Sequence, residues 1–219
     1  MARTRRGRDD ELVSDDATEL ARAERHDLTM LLAGLGADDW ARPTALPGWD
    51  VRDVAGHVIS YDVVGWAEFA RRMARARFRL AGANDIGVAL ARELSPAQIV
   101  GQFRAHPRPV GLTTAFGGRL GLTDGLIHHQ DIRRALDRPR VVPPERLAPA
   151  LRFALWAPPL PGRRLARGLR LVATDLDVEW GQGSEVRGPA EALLMAVAGR
   201  AIAGELSGPG VPVLAARLG

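Results

Sequence analysis

The chain of 219 residues contains no cysteine, and all 30 of its Lys and Arg positions are arginine. The lack of cysteine excludes disulfides, thiolate zinc sites and a nucleophilic thiol of the protein, so any thiol must arrive as a cosubstrate. The lack of lysine excludes Schiff-base chemistry. The sequence contains no uninterrupted apolar run long enough to predict a transmembrane helix. The N-terminus lacks the apolar region of a secretory signal, and a cytoplasmic protein is therefore expected.

Charge and composition argue against a nucleic-acid-binding protein. The apolar content of 46% and the charged content of 26% are ordinary for a globular protein. The net charge of +4 is spread over a sequence in which acidic residues are mixed with arginines, and no aromatic-interleaved basic patch is present. The arginines from Arg71 to Arg79 spread round a predicted helix. This pattern favours a solvated face, with a surface for an anionic small molecule as the alternative.

The order of the patterns predicts a mainly α fold with a small α/β unit at the end. Residues 1–13 are expected to form a disordered basic tail, and residues 14–140 carry helical stripes. One predicted helix begins at Asp50 and extends past Trp66 towards Leu80. Residues 141–219 contain three short strand patterns, at 169–174, 177–180 and 184–187, followed by a helix. Helices come first and the strand-containing unit second.

Two separated stretches carry the residues that can form a site. In the first, residues 46–61, Pro47-Gly48 is a turn signal, Asp50 is a good helix N-cap, and His57 lies beside the apolar stripe. A lone histidine there is usually a core residue. In the second stretch, however, Asp124 and His128 are four residues apart, so on a helix both side chains point the same way. One imidazole and this pair predict an open metal site with three ligands. His26 and His106 are not expected to be ligands.

The same stretches carry a family resemblance. The segments LPGWDVRDVAGHV and TDGLIHHQDIRRAL resemble the DinB-like metalloenzymes, and most closely the actinobacterial mycothiol-dependent maleylpyruvate isomerase family. The segment LRLVATDLDVEWGQGSEVRGPAEALLMAVAGRA is similar to that family's small C-terminal domain of the sterol-carrier kind. The resemblance extends from about residue 17 to the end of the chain. It implies a DinB-like four-helix bundle followed by that domain.

The resemblance also implies a divalent metal, usually zinc, held by His57, Asp124 and His128. The family usually has glutamate or histidine where Asp124 stands, and Asp124 is one methylene shorter than glutamate. Asp131 matches a position that the family fills with aspartate, where it is expected to accept the free imidazole N–H of a ligand or to cap neighbouring backbone. His129 is an alternative to Asp124 as a ligand, but on a straight helix it is turned about 100° from His128 and is expected to be a second polar wall residue.

An open metal position can activate either a thiol or a water molecule. The resemblance implies that mycothiol is the cosubstrate and that its metal-bound thiolate attacks a small electrophile, for cis–trans isomerisation or S-transfer. A metal-dependent hydrolase remains an alternative, as does a binding or regulatory protein whose metal site has decayed. No membrane or nucleic-acid partner is expected, and the protein is expected to be a monomer or homodimer. Arg119 and Arg134 are candidates for a substrate carboxylate.

Overall fold

A computed structural model of the chain describes residues 3–158 and 160–219, with side chains from residue 17 onwards. The chain divides into two compact units, Met1–Pro139 and Arg140–Gly219. The described residues are mainly helical, with one three-stranded sheet in the second unit, as the sequence predicts. Helices in the described ranges are all too short or too polar to cross a membrane.

The first unit is built from helices that precede the single sheet. These helices are α1 (Arg3–Ala33), α2 (Ala37–Trp40), α3 (Val51–Ser60), α4 (Trp66–Arg75), α5 (Leu80–Ala91), α6 (Pro96–Ala105) and α7 (Arg119–Ala135), with a 3₁₀ turn at Gly111–Thr114 between α6 and α7.

Four of these helices form a bundle. Helices α1, α3, α6 and α7 pack in a ring in which each contacts two neighbours. Each contributes a fully buried aliphatic side chain to one core: Leu28, Val54, Ile99 and Ile132 in that order. Burial of such side chains is the main favourable term in folding. The predicted four-helix architecture is confirmed.

Helix α1 extends closer to the N-terminus than the sequence pattern indicates. It begins at Arg3, whereas the apolar stripe predicts a start near Ser14 or Asp15. Met1, Ala2 and the side chains of residues 3–16 lie outside the described residues. The expectation of a disordered tail over residues 1–13 therefore stays a prediction.

Helix α3 begins where the sequence predicts and ends earlier. Asp50 is its N-cap and accepts a hydrogen bond from the backbone N–H of Asp53 at 2.8 Å, and the Asp53 side chain accepts one from Asp50 in return. The prediction of one helix from Asp50 towards Leu80 is wrong, because α3 ends at Ser60. Just beyond it, Asp62 accepts hydrogen bonds from the Val110 backbone and the Thr113 hydroxyl, which draws the chain away from the helix axis.

Helix α5 packs closely against α3 beside the candidate site. A Cβ atom at Gly56, the residue before His57, would lie 2.3 Å from the Cβ of Ala91, so only glycine permits this approach. At the same interface the Arg92 guanidinium binds the Asp53 carboxylate through two hydrogen bonds of 2.8 and 2.7 Å. The glycine and the ion pair fix the position of α3, and therefore of His57, relative to α5.

The second unit is a small α/β domain. Its central strand β1 (Leu169–Ala173) pairs antiparallel with β2 (Glu179–Gly181) and parallel with β3 (Ser184–Gly188). The strand order is β2–β1–β3. The helices of this unit are α8 (Pro144–Trp156), α9 (Gly162–Leu165), α10 (Ala190–Val197) and α11 (Val211–Leu218), with a 3₁₀ turn at Ala203–Glu205.

Candidate metal centre

Three potential metal ligands from two helices converge in the first unit. His57 comes from α3, and Asp124 and His128 come from successive turns of α7. One ligand atom from each residue lies within 4.8 Å of the other two. The Oδ1 atom of Asp124 lies 3.8 Å from Nε2 of His57 and 3.6 Å from Nε2 of His128. The aspartate side chain is therefore long enough to approach both imidazoles.

The three side chains differ in their access to solvent. The side chains of His57 and His128 are 5% and 11% exposed, whereas that of Asp124 is 28% exposed. Two imidazole nitrogens and one carboxylate are ligands that zinc prefers, at about 2.0–2.2 Å from the ion. Atoms bound tetrahedrally at that distance lie about 3.4 Å apart. The separations of 3.6 and 3.8 Å from Asp124 are close to this value, so the residues present fit a zinc-like ion.

Asp131 orients the His128 ring. Its Oδ2 atom lies 3.0 Å from Nδ1 of His128, and its side chain is fully buried. A carboxylate at this distance favours the tautomer in which Nδ1–H donates, which leaves the lone pair of Nε2 directed at Asp124. A hydrogen bond from a ligating histidine to a carboxylate fixes the ring and raises its basicity as a ligand. The role that the resemblance implies for Asp131, to accept the free imidazole N–H of a metal ligand, stays a prediction.

Aromatic rings that the sequence did not identify as part of the site surround His57. The centroid of its ring lies 5.2 Å from that of Trp49, 5.7 Å from that of Tyr61 and 4.7 Å from that of His128. These contacts restrict the rotation of the imidazole. Trp49 and Tyr61 flank the predicted ligand in the sequence, but only the fold shows that both rings face it.

Tyr61 is a buried phenol in a charged neighbourhood. Its hydroxyl donates a hydrogen bond to Oδ1 of Asn84 on α5. Burial, reinforced by the negative charge of Asp124 and opposed by the Arg72 guanidinium, raises the pKa of Tyr61 to about 12. A phenol with this pKa keeps its proton at neutral pH, so its hydroxyl is a hydrogen-bond donor there.

His129 connects α7 to α1. It is fully buried, its Nδ1 lies 2.7 Å from Oε1 of the buried Glu24, and its Nε2 accepts a hydrogen bond of 2.9 Å from Nε of Arg133. The contact with Glu24 of α1 holds α7 at a defined rotation about its own axis, whereas the contact with Arg133 lies within α7 and orients the His129 ring. That rotation directs Asp124 and His128 towards α3.

The remaining histidines and the two arginine candidates take the following positions. His26 is exposed on α1, and His106 contacts the Gln102 carbonyl through Nδ1 at the end of α6. Arg119 donates to the Phe116 carbonyl at the start of α7, and Arg134 is half-buried near its end.

Comparisons with known proteins relate the first unit to one family. Residues 21–110 match the family model described as the mycothiol maleylpyruvate isomerase N-terminal domain, a range that includes His57 and ends before Asp124. Two uncharacterized proteins from two strains of Mycobacterium tuberculosis are 37% identical to the chain over 89 residues, which make up 38% of this chain and 35% of each relative. The chain thus spans about a third of the length of the curated relatives it matches.

The fold also matches solved structures. The chain is similar to the crystal structures of the mycothiol-dependent maleylpyruvate isomerase and of its histidine-to-alanine mutant, each with a TM-score of 0.55 and 12% sequence identity. The match covers 90% of this chain and 92% of the other. At this identity the likeness shows a shared fold.

Proposed function

We propose that the chain, whose residues 21–110 match the mycothiol maleylpyruvate isomerase N-terminal domain family, is a metal- and mycothiol-dependent enzyme. In this proposal His57, Asp124 and His128 hold a divalent metal, with zinc the best match to the ligands. The substrate is a small electrophile, which undergoes cis–trans isomerisation or S-transfer. The convergence of the three side chains within 4.8 Å is the observation that carries the proposal.

The bound metal would supply one chemical property, which is to lower the pKa of a coordinated thiol. A free thiol has a pKa of about 8.5, so only a few per cent of it is ionised at pH 7. Because the chain has no cysteine, the thiol must come from a cosubstrate. The name of the family and of the structural relative indicates mycothiol.

The protein's own side chains prepare this site in three ways. The Asp131 carboxylate accepts a hydrogen bond from Nδ1–H of His128, so Nε2 of His128 is available as a ligand atom. Trp49 and Tyr61 pack on His57 and hold its ring in place. The partly exposed Asp124 supplies the negative charge of the ligand set. Ligands that are already oriented lose little conformational freedom when an ion binds.

Both proposed reactions begin with the same bond formation. The thiolate sulfur adds to an activated double bond, and the electron pair of that bond moves onto the activating group. Rotation about the resulting single bond, followed by loss of the thiolate, restores the double bond in the other geometry and returns the thiol. Protonation of the adduct without loss of sulfur would instead complete an S-transfer.

Calorimetry of mycothiol binding to the zinc-loaded chain, in buffers of different ionisation enthalpy, tests this proposal. Binding should release close to one proton at neutral pH and should be lost in His128→Ala. The matched control, His26→Ala, removes an exposed histidine of the same unit and should bind as the unmodified chain does. Proton-neutral binding that survives His128→Ala would contradict the proposal and favour metal-activated water or simple ligand binding.

A further inference from the structure

One arginine of α4 is buried. Arg72 is 4% exposed, although the sequence pattern favours a solvated face for the arginines of this segment. Its neighbours along the chain follow that expectation. The exposed arginines are Arg71, Arg75, Arg77 and Arg79.

The guanidinium of Arg72 makes little use of its hydrogen-bond donors within the fold. Its Nε lies 3.6 Å from Oε1 of Glu68, too far for a hydrogen bond. The other oxygen of Glu68 lies 3.0 Å from NH2 of Arg71, so this half-exposed carboxylate is shared with a second arginine. Within the part of the chain that the structure describes, Nε and NH1 of Arg72 are shielded from solvent and have no hydrogen-bond partner. Burying charged donors in this way lowers stability, and these donors are available to a ligand that can accept from them.

The fold leaves space for this guanidinium next to the candidate metal centre. A Cβ atom at Gly87 of α5 would lie 3.2 Å from NH1 of Arg72 and 3.0 Å from Oγ of Ser60, so glycine at this position makes room for the arginine. Ser60 precedes Tyr61, whose ring lies 5.7 Å from that of His57. Arg72 is therefore beside the segment of α3 that follows the candidate ligand.

Tyr61 connects the candidate ligand on α3 to α5. Its hydroxyl is bound to Asn84, which is one turn before Gly87 on α5. Its ring packs against that of His57, with 5.7 Å between the two centroids. Tyr61 therefore contacts both the candidate ligand His57 and the helix that carries Gly87.

We propose that Arg72 forms a carboxylate-binding subsite beside the candidate metal centre and that it takes an anionic group of the electrophile. The guanidinium is a planar donor that matches the two oxygens of a carboxylate. The single positive charge, which has the half-exposed Glu68 carboxylate 3.6 Å away, suits a monoanionic group better than a phosphate dianion. This inference rests on the proposed function, which concerns the thiol cosubstrate. It adds that the electrophile carries a carboxylate.

Calorimetric titration of the full-length chain with maleate, without thiol, tests the subsite. The titration is run on the protein as purified and again after treatment with EDTA. Arg72→Met should weaken maleate binding at least about tenfold, as expected for the loss of a charged hydrogen-bond donor. The matched control Arg71→Met removes the exposed neighbouring guanidinium and should change the affinity less than about twofold. Dimethyl maleate, which is uncharged, and inorganic phosphate should both bind more weakly than maleate.

Failure of the proposed thiol function and failure of the Arg72 subsite give different results in these titrations. A chain that binds no metal would fail the thiol test, yet the EDTA-treated protein would still show Arg72-dependent maleate binding. Undiminished maleate binding by Arg72→Met would overturn the subsite. Equal losses of maleate affinity in Arg71→Met and Arg72→Met would also overturn the subsite, as would dimethyl maleate that binds as tightly as maleate. Phosphate that binds more tightly than maleate would overturn the carboxylate assignment.

Thermal unfolding distinguishes a subsite from a structural role. Arg72→Met should have a Tm equal to or above that of the unmodified chain, because its buried donors are not satisfied by the fold and Glu68 keeps Arg71 as a partner. Added maleate should raise the Tm of the unmodified chain and not that of Arg72→Met. A marked fall of the Tm in Arg72→Met, or its failure to fold, would assign Arg72 to the packing of the unit and overturn the subsite.

Discussion

Replacement of Asp131 tests how the orientation of His128 contributes to metal affinity. The Asp131 side chain is fully buried, and its Oδ2 lies 3.0 Å from Nδ1 of His128. Asp131→Asn keeps the shape of the side chain and one acceptor oxygen, but it removes the negative charge. A charge-assisted hydrogen bond is about twice as strong as a neutral one, and the difference is about 1–1.5 kcal/mol. This difference corresponds to a loss of roughly tenfold in zinc affinity.

Asp131→Ala removes the acceptor altogether and should therefore weaken zinc binding further. Removal of such a partner of a ligating histidine typically lowers metal affinity by about 10–100-fold. The affinities are measured by competition with a chromophoric chelator on the full-length chain. The order expected is the unmodified chain, then Asp131→Asn, then Asp131→Ala.

Asp137→Asn is the matched control for this series. It makes the same chemical change just beyond the end of α7, at an exposed residue with a backbone φ of 53°, a conformation that asparagine tolerates as well as aspartate. Its zinc affinity should equal that of the unmodified chain. If both Asp131 variants also bind zinc as tightly as the unmodified chain, the orienting role of Asp131 is refuted.

Two further predictions concern α1 and the single tyrosine. Glu24→Ala removes a buried carboxylate 2.7 Å from Nδ1 of His129 and should lower the free energy of unfolding by about 3 kcal/mol in urea titrations. Glu19→Ala, at a half-exposed position of the same helix, should change the free energy of unfolding by less than about 0.5 kcal/mol. Equal effects of the two substitutions would contradict the role of Glu24. Tyr61 is the only tyrosine, so tyrosinate absorbance in the metal-free chain should show half-ionisation near pH 12 rather than near the ordinary value of 10. Because the pKa is raised in the folded state, the contribution of Tyr61 to stability is complete below pH 10 and is lost as the pH rises towards 12. Titration near pH 10 while circular dichroism still shows the folded state would contradict the burial of the phenol.

The parts of the fold that follow from local pattern could be predicted from the sequence. Asp50 is followed three residues later by Asp53, and the two form the capping box that starts α3. The spacing of Asp124 and His128 places both on one face of α7 wherever that helix lies. The meeting of this pair with His57 depends on the packing of two distant segments, so it was inferred from the ligand types and from the family resemblance and not from any local pattern.

The parts that depend on contacts between distant residues could not be predicted. His129 is paired with Glu24, 105 residues earlier in the chain. A glutamate within the apolar stripe of α1 was the one available signal of a buried partner on another helix. The burial of Arg72 had no such signal, because the arginines around it spread over all faces of α4 and Trp66 of the same helix is exposed. The buried face of α4 is set by the close packing of neighbouring helices and not by hydropathy.

Optical spectroscopy of the cobalt-substituted chain tests most directly whether the three side chains hold a metal that takes an external thiol. Cobalt(II) replaces zinc in such sites and gives an intense sulfur-to-cobalt charge-transfer band when a thiolate coordinates it. Because the chain has no cysteine, a thiolate band can come only from an added thiol. If His57, Asp124 and His128 hold the metal, we expect mycothiol to produce this band in the unmodified chain and in His26→Ala, and not in His57→Ala or His128→Ala. A cobalt-loaded chain that shows no such band at saturating mycothiol, or an equal band in all four proteins, would contradict this expectation.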